Sequence, residues 1–143
     1  PAMENDSITK VGIAVVEHEG RYLVGVRESS APLGGLAEFP GGKCRPGESA
    51  AECAIRECAE ETDLLVEIVE PLLNRRYDYP HGAVDLHFFL CAPANGMDAD
   101  KLKGTFEWIE LAALREREFP PANRPVIDRL VDRDQRPAQR GVT

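Results

Sequence analysis

Residues 41–64 read GGKCRPGESAAECAIRECAEETDL. Ser49 is followed three residues later by Glu52, a capping-box pairing, so a helix is predicted over 49–62. On that helix Glu57, Glu60 and Glu61 stand at i, i+3 and i+4, and at about 100° per residue they share one narrow stripe. Ala51, Ala54, Ile55, Cys58 and Thr62 form an adjacent apolar stripe that can pack on a sheet. Carboxylates at this spacing repel by about a few tenths of a kcal/mol per pair. A helix that accepts that cost carries either a solvated face or a cation site, and magnesium takes its oxygen ligands from a few carboxylates plus substrate phosphates. Upstream, Phe39-Pro40-Gly41-Gly42-Lys43 is a stiff turn into a loop whose glycines let backbone approach a ligand. Glu48 lies just before the cap, and Arg56 stands beside the acidic stripe, where a bidentate ion pair can anchor Glu48.

The rest of the chain supplies a sheet for this helix. Segments 8–16 and 22–26 are rich in β-branched and aromatic residues around the turn His18-Glu19-Gly20, and form a predicted hairpin. Segment 29–36, with Ser, Pro and paired Gly, reads as a mobile loop. Strands are predicted at 66–69, 75–79, 84–91 and 106–109. A helix over 111–118 stops at Pro120-Pro121, and a last helix over 125–131 places Val126, Ile127, Leu130 and Val131 on one face. Strands flanked by a few helices on 143 residues predict one domain over 1–143, a mixed α/β sandwich, with 1–7 and 134–143 flexible.

Composition bounds the function. The chain is 43% hydrophobic and 29% charged, as in a soluble globular protein. No apolar run approaches the ~18 residues of a membrane span, and the opening PAMENDSITK has no signal-peptide pattern. Pro1 and Ala2 are read as a processing remnant. A cytoplasmic protein without membrane contact is expected. The net charge of -8 argues against holding duplex nucleic acid through its phosphates. An anionic nucleotide is equally repelled unless bound cations reverse the local charge. Cys44, Cys53, Cys58 and Cys91 match no CxxC pattern and are expected to be free buried thiols.

Gly42, Glu48, Arg56, Glu57, Glu60, Glu61 and Leu64, with Cys58 at an apolar position, resemble the Nudix box G-x5-E-x7-R-E-U-x-E-E-x-G-U. One position departs, because Asp63 stands where the box has its last glycine. That glycine is expected to end the helix in a left-handed conformation, which Asp tolerates better than most residues. The likeness spans about 11–130 and is greatest to MutT-type 8-oxo-dGTP diphosphatases. It is carried by EFPGGK at 38–43, YDYPHGAVDLHFFL at 77–90, FEWIEL at 106–111 and FPPANRPVIDRL at 119–130. Pro32, the His81-Gly82 pair and a shorter connection before Phe119 depart from that group at the rim of the base site.

The resemblance implies an α/β/α sandwich around a mixed sheet. It also implies a hydrolase using Mg2+ or Mn2+ to release a nucleoside monophosphate and pyrophosphate. It assigns the Gly41 carbonyl, Glu57, Glu60 and Glu61 as metal ligands, with Arg56 and Glu48 bracing the loop. Glu107, by itself a surface carboxylate, becomes a further metal ligand or the general base; Glu57 is the other candidate base. Asn123, by itself a helix-starting residue, becomes the reader of an oxidised guanine. Arg27 and Phe39 take substrate-pocket positions, against the plainer readings of a strand-edge charge and a core ring. The partner is then a small nucleotide, and the protein a monomer or weak homodimer. Alternatives are a Nudix hydrolase of CTP, dCTP, ADP-ribose or another nucleoside diphosphate derivative, and a non-catalytic nucleotide sensor. Sensors often lose box carboxylates, which are intact here.

Overall fold

The structure is a computed structural model, and it describes residues 8–27, 29, 34–80 and 82–135. The expectations for 1–7, Pro32, His81 and 136–143 lie outside the described residues. Strand β1 (Ile8–His18) turns at Glu19-Gly20 into β2 (Arg21–Val26). Both turn residues have positive φ (51° and 78°), the geometry whose twist matches an antiparallel pair. The two strands stay paired only at Glu17↔Tyr22 and His18↔Arg21. They then splay, and the chain at 40–43 fills the wedge. Pro40 O accepts from Ala14 N at 2.8 Å, and β4 (Gly41–Lys43) pairs with Val11, Gly12 and Ile13. The glycines ahead of the helix are thus fixed in the sheet and not left on a loop, a departure from expectation. Strand β3 (Ala37–Glu38), also too short to predict, pairs with Gly25 and Val26 of β2.

On the other side of β1 runs β6 (Gly82–Pro93), parallel to it, followed by β5 (Val66–Tyr79). The expected strands 66–69 and 75–79 are one strand. It carries register shifts at Ile68/Glu70 and Pro71/Leu73, so irregular pairing around the proline joins the two predicted segments. Strand β7 (Glu107–Glu110) pairs with β2.

Helix α1 (Ala50–Thr62) covers one face of the sheet, and α2 (Leu111–Glu116) and α3 (Arg124–Asp134) cover the other. The α3 helix runs three residues beyond the predicted 131 and follows a single 3-10 turn at Pro121–Asn123. Ala14, Val16, Leu23, Ala54, Cys58 and Leu64 are buried under α1. Val15, Val24, Phe88, Leu114, Ile127 and Leu130 fill the other side. This period-two alternation along β1 and β2 makes an α/β/α sandwich. Among the described residues no helix is long and apolar enough to cross a membrane.

Both capping-box bonds form, Glu52 N to Ser49 Oγ at 3.0 Å and Ser49 N to Glu52 Oε1 at 2.9 Å. At the other end Asp63 is left-handed (φ 67°) and its N–H donates to Ala59 O at 2.9 Å. Its carboxylate reaches Lys103 Nζ at 3.5 Å, an exposed pair that contributes little. Asp63→Gly is therefore expected to stabilise the fold by about 1 kcal/mol, the order of the penalty for an L side chain in this region. Urea denaturation of the two proteins checks it, and a lower midpoint for the variant contradicts it.

Candidate active site

Helix α1 lies close enough to β1 that Gly12 is required, and Gly42 of β4 lies against the end of the Glu57 side chain. A Cβ on Gly12 would stand 2.4 Å from Ala50 O, and one on Gly42 would stand 2.5 Å from the carboxyl carbon of Glu57. Gly42 presses directly on the glutamate stripe. Gly12, mid-strand between Val11 and Ile13, was overlooked in the sequence, although a glycine in a strand interior signals a close approach.

Arg56 organises the site. Its Nε and Nη2 donate to Glu48 Oε2 (2.6 Å) and Oε1 (2.9 Å), the bidentate pair expected from position. Nη2 also donates to Lys43 O at 3.2 Å, and Arg45 N donates to Glu48 Oε1 at 2.9 Å. These bonds tie both ends of the 43–48 loop to the helix. The Arg56 and Glu48 side chains are only 17% and 13% exposed. The guanidinium holds the Glu48 carboxyl down to about 2 and is itself pushed up by Glu48, with Glu57 and Glu60 adding to the effect. The sequence did not anticipate a further role. Nη1 donates to Glu57 Oε2 at 2.9 Å and to Glu60 Oε1 at 3.2 Å, so one cation serves three carboxylates.

Glu61 lies outside that cation's reach. Its Oε1 accepts from Gly41 N at 3.4 Å, a long bond. Burial pushes its carboxyl up to about 8, and the adjacent Glu57 carboxyl adds to the rise. Glu38 of β3, which the sequence did not single out, contributes a further negative charge. A half-buried carboxylate so poorly compensated fits a cation-binding residue. Glu57, Glu60 and Glu61 offer hard oxygen donors only, the set preferred by magnesium and manganese over softer metals.

The remaining predicted residues are less tightly gathered. Glu107 opens β7, 58% exposed, and among the described residues its carboxylate pairs with Arg117 Nη2 at 3.3 Å and not with α1. Arg27 Nη1 reaches Glu38 Oε1 at 3.3 Å. Phe39 is buried, 5% exposed, and stacks on Phe119 with ring centroids 4.9 Å apart. Asn123 does not cap α3. Its backbone is right-handed helical and its Nδ2 donates to Pro120 O at 3.3 Å.

The NUDIX domain family matches residues 11–129. The chain belongs to the NUDIX family. It is a hydrolase of that family. Among curated relatives, the 8-oxo-dGTP diphosphatase of Escherichia coli K12 is 29% identical over 122 residues, covering 85% of this chain and 95% of that protein. The CTP pyrophosphohydrolase of the same organism is 25% identical over 130 residues, covering 90% and 96%. The solution structure of the E. coli ORF135 protein superposes with a TM-score of 0.73 at 24% identity, covering 92% of this chain and 95% of that one, a likeness of fold.

Arg56→Ala is expected to lower the melting temperature by several degrees and to lower turnover as well. It strands the Glu48 carboxylate in a half-buried loop and leaves Glu57 and Glu60 to repel each other. The Glu48 carboxyl is depressed, so its stabilising contribution is complete above its ordinary value of 4.5 and is lost as pH falls toward about 2. The variant's deficit is thus present at neutral pH and shrinks across that acid window. Thermal melts at several pH values test this. Unchanged melting with abolished turnover would instead assign Arg56 a direct phosphate contact.

Proposed function

We propose that the chain is a nucleoside triphosphate diphosphatase that uses Mg2+ or Mn2+ and removes 8-oxo-dGTP and 8-oxo-GTP from the cytoplasmic nucleotide pool. Water adds to phosphorus, the bridging P–O bond breaks, and a nucleoside monophosphate and pyrophosphate leave. Glu57, Glu60, Glu61 and the Gly41 carbonyl are the groups that would hold the metal. Bound there, it offsets the repulsion between acidic protein and polyphosphate and lowers the pKa of water. Glu57, beside Gly42 and within the Arg56 network, is one candidate to take the proton. Glu107 is the alternative, once substrate or metal draws it from Arg117.

The observation that carries the base assignment is the state of the Asn123 amide. One Nδ2 hydrogen is directed to Pro120 O, which fixes the donor end. Among the described residues Oδ1 has no partner. The amide therefore presents an acceptor and a second N–H side by side. Guanine offers two acceptors, N7 and O6, along that edge, and oxidation at C8 turns N7 into a donor. The oxidised edge matches the amide, and the normal one opposes acceptor to acceptor. Phe39, stacked on Phe119, and Arg27, paired with Glu38, are the further residues assigned to the base pocket in this reading.

The relative named for CTP supports a second reading, since a pyrimidine triphosphate would use the same carboxylates. Pyrophosphate release from 8-oxo-dGTP, 8-oxo-GTP, dGTP, CTP, dCTP and ADP-ribose decides between them. Fastest turnover of 8-oxoguanine nucleotides supports the proposal. Faster CTP or dCTP hydrolysis replaces it, and no hydrolysis of any triphosphate rejects both.

A further inference from the structure

Beside the brace, one turn along α1 from Glu57, two cysteines meet. Cys44 follows β4, its N–H bonded to Lys10 O at 2.9 Å, and Cys53 sits one turn into α1. Their sulfurs and the Glu48 carboxylate lie within 4.8 Å of one another. Cys53 is fully buried, and its thiol donates to Gly42 O at 3.2 Å. Cys44 is half-buried, contrary to expectation, and opens onto a cleft of about 600 Å³ bordered by Lys10, Arg45, Pro46, Gly47 and Glu52. One thiol is thus reachable from solvent, and the second is sheltered directly behind it.

We propose that Cys44 and Cys53 form a peroxide-reactive dithiol site that closes to a reversible disulfide. Glu48 completes a set of donors with soft-metal spacing, but its oxygens are occupied by Arg45 N and by Arg56. The Arg56 guanidinium also stands 3.9 Å from Cys53 Sγ, so an incoming cation meets a positive charge. A covalent S–S bond needs neither Glu48 nor a vacancy beside Arg56. It needs the sulfurs, already within 4.8 Å, to close to the ~2 Å of a disulfide.

The chemistry balances with hydrogen peroxide as oxidant. The Cys44 thiolate attacks one peroxide oxygen, the O–O bond breaks, and the departing hydroxide takes a proton to leave as water. The Cys53 sulfur then attacks the Cys44 sulfenic acid. The S–S bond forms, the S–O bond breaks, and the proton released by Cys53 leaves with the hydroxide as a second water. Two electrons pass from the thiols to peroxide. Cys53 no longer donates to Gly42 O, so the modification reaches the strand that presses on Glu57.

Both cysteines fall in one tryptic peptide, 44–56, because the Arg45-Pro46 bond resists trypsin. The folded protein is treated with hydrogen peroxide, alkylated without reductant, digested and weighed. The expected peptide has lost two hydrogens, takes no alkyl label, and regains both labels after dithiothreitol. Cys44→Ser and Cys53→Ala each abolish that species. In Cys53→Ala, Cys44 instead gains oxygen. Wild-type peptide that gains oxygen at Cys44 while Cys53 stays free overturns the proposal, as does absence of reaction. Protection of both thiols by Zn2+ that survives desalting, without disulfide on peroxide treatment, assigns a metal site in its place.

Discussion

Glu57→Gln is expected to lower turnover at saturating Mg2+ by about 10²–10⁴-fold, the range for losing a positioned proton-transfer group, and Glu61→Gln to lower it by orders of magnitude through loss of a metal ligand. The fold survives both changes, since neither side chain builds the core on either face of the sheet. Glu61→Gln does more. Its carboxyl is raised by burial and by Glu57, so the native state holds a proton that the unfolded chain releases near 4.5. Glu61 therefore favours the metal-free fold fully below pH 4.5. That contribution declines as pH rises and is gone above about 8. Gln cannot ionise, so Glu61→Gln melts higher than wild type in EDTA at pH 8, and the difference narrows toward pH 5. Saturating Mg2+ reverses the order, because the wild type alone recovers ligand stabilisation. Melting curves at two pH values, with EDTA and with Mg2+, read all of this. Wild-type rates in both variants would remove the carboxylates from the chemistry. Equal melting in EDTA would remove the argument from burial.

Local rules were the legible part. Ser49 with Glu52 set the helix start, and the tolerance of Asp for left-handed backbone accounts for the one departure from the box motif. The stripe of Glu57, Glu60 and Glu61 followed from helical period alone. What stayed hidden depends on contacts distant in sequence. The predicted segments 66–69 and 75–79 are one strand because β6 accommodates the irregular pairing around Pro71. Gly41–Lys43 becomes a strand only because β1 and β2 diverge and leave a wedge. Position alone paired Arg56 with Glu48, but its grip on Glu57 and Glu60 needs the rotamer. The cysteines at 44 and 53 match no motif, because a loop and a helix turn bring them together. Family likeness assigned Asn123 a role, and the structure removed the helix-capping alternative.

Selectivity for oxidised guanine is expected to rest on that residue. Against 8-oxoguanine the Oδ1 acceptor meets N7–H while the remaining Nδ2 hydrogen meets O6, and against guanine the first bond becomes a clash of acceptors. Rotating the amide does not repair the mismatch, because Pro120 O already takes one Nδ2 hydrogen and would then face Oδ1. Leaving two groups unsatisfied costs about 2–6 kcal/mol at roughly 1–3 kcal/mol each. That corresponds to about 30-fold to 10⁴-fold in kcat/KM. Asn123→Ala is expected to erase most of this preference, mainly by slowing 8-oxo-dGTP and hardly changing dGTP. Metal affinity is expected to be unchanged, since the residue is uncharged and lies on the 3-10 turn before α3, across the sheet from α1. The measurements are kcat/KM for 8-oxo-dGTP, dGTP and CTP in both proteins, with Mg2+ titrations beside them. Equal wild-type values for 8-oxo-dGTP and dGTP would defeat the base assignment while leaving the diphosphatase chemistry in place. A wild-type preference that survives Asn123→Ala would keep the substrate and move its recognition to another residue, with Arg27 the next candidate.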